Sequence, residues 1–145
     1  MLLAAGTYGV SPSSYLPNTT GAYSVSAVSV PESTNNCELV FAMPGITTIG
    51  ELTAGDCTSG GFLFEKIGIV LRAGRTYTIT MTSSVFDTYL ELAVLQGALV
   101  ASNDDATGLG TNARITFTPT QSNFYVIVPS SKLTNVTGAF TLTIQ

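Results

Sequence analysis

Between Thr76 and Thr82 the chain reads Thr-Tyr-Thr-Ile-Thr-Met-Thr, a hydroxyl residue and an apolar one alternating at every step. Successive side chains of an extended strand point to opposite faces, so this run puts Tyr77, Ile79 and Met81 on one side and the threonines on the other. On a helix, with its period near 3.6 residues, the same run would spread both kinds around the axis and leave no face to bury. Similar runs place Tyr23, Val25, Ala27; Ile67, Ile69, Leu71; Tyr89, Leu90, Leu92, Val94; Ile115, Phe117; Tyr125, Ile127; and Phe140, Leu142, Ile144 on core faces. Turn formers separate them at Ala73-Gly74, Gln96-Gly97, Asn103 to Gly110, Pro119 to Asn123 and Asn135 to Gly138. Eight or nine short strands so spaced predict an all-β antiparallel β-sandwich or jelly roll with little or no helix.

The chain has 145 residues, enough for one domain with a hydrophobic core and an appendage. Only 10% of them are charged, so the solvent-facing surface is expected to be mostly hydroxyl. Five basic and nine acidic residues leave a net charge of −4 and no basic cluster, which argues against nucleic-acid binding. Apolar stretches are broken by Glu91, Gln96 and Gly97 before reaching the roughly 18 residues of a membrane helix, so no membrane insertion is expected. Met1 to Ala5 is apolar but lacks the charged lead and the length of a secretory signal.

An internal repeat explains that opening. Residues 7 to 28 align without gaps on residues 124 to 145: Tyr8, Pro12, Ser13, Ser14, Leu16, Asn18, Thr20, Gly21 and Ala22 recur as Tyr125, Pro129, Ser130, Ser131, Leu133, Asn135, Thr137, Gly138 and Ala139. Residues 1–30 therefore read as the closing hairpin of a preceding repeat, and residues 31–145 as a β-sandwich. Either a signal was removed upstream or the numbering begins inside a longer, repetitive protein, and the repeat favours the second.

Cys37 and Cys57, in a chain with Asn-X-Thr sequons at Asn18 and Asn135, suit an extracellular disulfide and glycosylation at both asparagines. Closing a loop of that size would contribute about 3 kcal/mol. Two buried, inert thiols are the alternative.

The chain contains no histidine, which excludes Ser-His-Asp and Cys-His machinery and histidine zinc sites. Adjacent Asp104 and Asp105 cannot face each other across a glycosidic bond. Asn103, Asp105 and Thr107, with Gly108 at the sixth position, resemble the start of a calcium loop, yet Arg114 stands where the closing glutamate belongs. The other reading is a structural turn of Asn103, Asp104 and Asp105 tied to Asp87 and Arg114, needing no cofactor. Without tryptophan, and with only Tyr8 and Tyr15 off the inferred core faces, support for a lectin is thin.

The stretches GELTAGDC (50–57), RAGRTYTITMTSSVFDTYLEL (72–92), ASNDDATGLGTNARITFTP (101–119), FYVIV (124–128) and TGAFTLTI (137–144) together resemble the bacterial pre-peptidase C-terminal domain family. Glu65 and Ile67 depart from the family's acid-then-aromatic pair, and Gln121-Ser122-Asn123 lacks its usual glycine. The resemblance implies a non-catalytic β-sandwich of exported proteins, sometimes in tandem. Two roles are expected from it. One is a structural or adhesive module at the cell surface or outside the cell, whose partners are copies of itself or neighbouring repeats, joined into a filament by strand or hairpin exchange. The other is an accessory domain of a secreted hydrolase that binds an extracellular polymer.

Overall fold

The structure is a computed structural model that describes residues 20–22, 37, 39–95 and 98–145. Contacts divide the chain between Glu32 and Ser33, and every described strand belongs to the second unit. The repeat at 7–28, with Tyr8, Tyr15, Asn18 and Tyr23, lies outside the described residues apart from Thr20 to Ala22.

Eleven strands and no helix are present among the described residues: β1 (Leu39–Phe41), β2 (Thr47–Leu52), β3 (Cys57–Ser59), β4 (Phe62–Phe64), β5 (Lys66–Leu71), β6 (Tyr77–Thr82), β7 (Thr88–Val94), β8 (Leu99–Asn103), β9 (Ala113–Phe117), β10 (Asn123–Ser131) and β11 (Gly138–Ile144). They form two sheets. In sheet A, β10 is central: β7 and then β8 lie on one side, and β5 and β4 lie end to end on the other, bordered by β1 and β3. Sheet B runs β2-β11-β6-β9. All pairs are antiparallel except β1 with β5.

The period-two runs face as the alternation requires. Tyr77, Ile79 and Met81 of β6 are buried with Phe140, Leu142 and Ile144 of β11 against Ile67, Ile69, Leu90, Leu92 and Ile127 of sheet A. Each fully buried aliphatic side chain contributes about 1.5–3 kcal/mol. Packing is close enough that the Phe140 ring lies over Gly50, where an added Cβ would come within 2.4 Å of it. At one end Thr88 joins the sheets: its hydroxyl accepts the Ala113 N–H at 2.8 Å, and its own N–H donates to the Thr111 carbonyl at 3.0 Å.

Three expectations need correction. Tyr89 and Leu90 cannot share a face, being consecutive in a strand; Leu90 is buried, and Tyr89 stands on the outer side of sheet A. The surface is not uniformly hydroxyl. Sheet B shows threonines outward apart from the exposed Ile49 of β2, but on sheet A Phe41, Phe62, Val70 and Leu99 are exposed. The closing segment of the repeat, residues 124 to 145, is not a hairpin: β10 lies in sheet A and β11 in sheet B, and they do not pair. The connection crosses the sandwich through Asn135, in left-handed backbone at φ 56°, whose N–H donates to the Gly61 carbonyl at 2.8 Å.

Candidate functional site

On the outer side of β10, Val128 and Ser130 are short side chains between bulkier neighbours, Val128 lying beside Glu91 of β7. Ser130 lies between Tyr89 on β7 and Phe64 on β4. Phe62 lengthens one wall, and Glu91 and Lys132 extend the other toward its ends. The result is a trough of about 600 Å³ with Val128 and Ser130 on its floor and Ser59 and Ser131 at its margin. Its depth comes from strand geometry: outward positions recur every second residue, so a short-chain row on a central strand between aromatic rows leaves a furrow.

The trough offers shape and apolar contact more than free polar groups. Two of its hydroxyls are committed to the fold: Ser130 Oγ donates to the Leu63 carbonyl at 2.7 Å, and Ser131 Oγ to that of Leu133. No histidine exists to activate either. The Lys132 ammonium sits 5.6 Å from the centre of the Tyr89 ring and pairs with Asp104.

That pair leads to the predicted turn. Asn103 Oδ1 accepts the Arg114 N–H at 2.9 Å, and Asp104 Oδ1 accepts the Asp105 N–H at 2.9 Å. Asp87 joins the group by its backbone, its carbonyl accepting the Lys132 N–H at 2.9 Å. The Arg114 guanidinium points elsewhere, its Nε donating to Thr80 Oγ1 at 3.1 Å. Lys132, which sequence reasoning did not single out, supplies the cation instead. Its hydrogen bond holds the Asp104 carboxyl below the ordinary aspartate range. Burial, followed by the nearby charges of Asp105 and Asp104, pushes the Asp87 carboxyl up, and Asp87 Oδ1 is buried without a hydrogen-bond partner.

For calcium, Asn103 already spends an oxygen on Arg114 and Asp104 is paired, while Asp105 and Thr107 are exposed. Among the described residues no three acidic or cysteine side chains converge as a metal site.

Cys37 and Cys57 form a disulfide across a separation of 20 residues, with Cα atoms 4.4 Å apart. Lys66 Nζ lies 3.4 Å from Cys37 Sγ. Nearby, Asp56 takes the Thr53 N–H at 2.7 Å and its hydroxyl at 3.0 Å. Burial, then the Asp56 charge, raises the Glu65 carboxyl. Asn135, the described sequon, is exposed in its turn.

No protein-family model matches the sequence, and no curated protein matches it. Among solved structures, the pre-peptidase C-terminal domain of a collagenase from Bacillus anthracis superposes with a TM-score of 0.56 at 14% identity, covering 74% of this chain and 95% of that one. The periplasmic inhibitor of g-type lysozyme from Aeromonas hydrophila, PliG, superposes at 0.47 with 16% identity over 74% of this chain and 98% of that one. The first likeness shows that the module has the pre-peptidase C-terminal domain fold.

Proposed function

We propose that the chain is a non-catalytic, extracellular structural or adhesive module of a repetitive exported protein, and that it joins copies of itself or neighbouring repeats. The observation that carries this reading is the outer face of sheet A, apolar where the chain's low charge and hydroxyl content predicted a polar surface. Exposed apolar patches of this kind mark interaction sites. The disulfide favours an oxidising compartment, and the repeat at 7–28 favours an array. Sedimentation of the full chain over a concentration series tests it. A rise in mass with concentration is expected, and a monomer at every concentration sinks it.

A second reading, an accessory domain that holds an extracellular polymer for a secreted hydrolase, draws on the fold's occurrence in a collagenase and on the aromatic walls of the trough. It expects the monomer to be retained on such a polymer, with retention lost on Tyr89→Ala.

A further inference from the structure

We propose that two copies of the module pair through the outer face of sheet A about a two-fold axis running along β10, with Glu91 of each copy against Lys66 of the other. This rests on the reading of the chain as a self-joining module and assigns the joining surface.

The register of the sheet carries it. Val128 is paired with Glu91 on one side. On the other side, Ile127 with Ile67 and Ser130 with Phe64 bracket it, which sets Val128 beside Lys66. Glu91, Val128 and Lys66 thus form one row across three adjacent strands, with opposite charges about one strand spacing, roughly 4.8 Å, either side of β10. The next rows along the face are uncharged: Tyr89, Ser130, Phe64 to one side and Ala93, Val126, Gly68, Phe41 to the other. Among the described residues neither Glu91 nor Lys66 takes part in a salt bridge.

A two-fold axis in the plane of an interface brings a position on one side of itself opposite its mirror-side counterpart in the partner. With the axis along β10, each Glu91 meets a Lys66, twice over, and the uncharged rows meet uncharged rows, with the neutral Lys132–Asp104 pair at the Tyr89 end. An acid and a base in one row, equally spaced from the middle strand, are self-complementary in this arrangement and in no parallel shift of it. The face is five strands wide and about seven residues long, about 24 Å by 22 Å. That is about 500 Å² on each copy and about 1,000 Å² in all, the lower bound for a specific contact, so the dimer is weak and weakened further by salt.

Sedimentation of the full chain and three charge variants tests the surface. Glu91→Lys and Lys66→Glu each replace two attractive pairs with two like-charge contacts and are expected to weaken dimerisation about tenfold or more. The double variant E91K/K66E re-creates the pairs in reverse and is expected to restore the parent affinity within about threefold. Because Lys66 also touches Cys37, E91K alone keeps the test independent of damage at the disulfide, and recovery in the double variant shows that such damage did not cause the loss in K66E. Association indifferent to both reversals overturns this surface while leaving the self-joining reading intact. If such association also disappears on removing residues 1–30, the joint belongs to that segment. A monomer at every concentration removes both.

Discussion

Thr88 occupies an inward position in line with Leu90 and Leu92, fully buried, and its hydroxyl is the partner of the Ala113 N–H. Thr88→Val preserves the shape and removes the acceptor, leaving a buried amide unpaired, so chemical denaturation should show a loss of about 1–3 kcal/mol. Asp87 behaves in the opposite sense. Its carboxyl is raised by burial and by Asp105 and Asp104, so the folded state binds that proton more tightly than the unfolded one. Its cost to stability grows as pH rises through the ordinary aspartate value, about 3.9, toward the folded one. Asp87→Asn should therefore raise the urea midpoint at neutral pH, with the gain fading by about pH 4; a lowered neutral midpoint would show that the carboxylate accepts a bond after all. Asp104 titrates the other way: its stabilising pair with Lys132 is lost as pH falls through its depressed pKa. The cluster of acids was legible from Asn-Asp-Asp beside Phe-Asp-Thr, whereas its cation was not. Lys132 lies 28 residues from Asp104, and only strand pairing brings them together.

The strands found by periodicity, β5, β6, β7, β9, β10 and β11, span five to nine residues; β8, also of five, reads Leu-Val-Ala-Ser-Asn and shows no alternation. β1, β3 and β4 have three residues each, too few for alternation to separate from chance, and in β2 Gly50 and the exposed Ile49 reverse the expected polarity. One wall of the trough came from those unread strands, so neither Phe62 nor Phe64 entered the candidate set. The short strands also depend on the cross-link. Cys37→Ser with Cys57→Ser releases a closure of 20 residues at β3, with an expected loss of about 3 kcal/mol in reversible unfolding. The trough should lose its Phe62–Phe64 wall before the core melts, seen as early hydrogen exchange in β3 and β4.

For the molecule as a whole, the fold class came from alternation and turn spacing, because a two-layer sandwich is the standard way to bury many one-sided strands. The site did not, since which strands become neighbours is a property of topology. Composition also misled: few charges meant hydroxyls on sheet B but apolar side chains outside sheet A. With the oxygens of Asn103 and Asp104 engaged, adding calcium at the roughly 1 mM level of weak extracellular sites should leave the melting temperature unchanged, and a rise would establish the loop as a metal site. The arch from β10 to β11 has a consequence in time. Those two strands are the middle strands of their sheets, yet they are the last of the module to be synthesised. Until residues 123–144 have emerged, β5 and β7 have no strand between them, and neither have β2 and β6. The two sheets therefore cannot close early and complete themselves around this segment once it arrives.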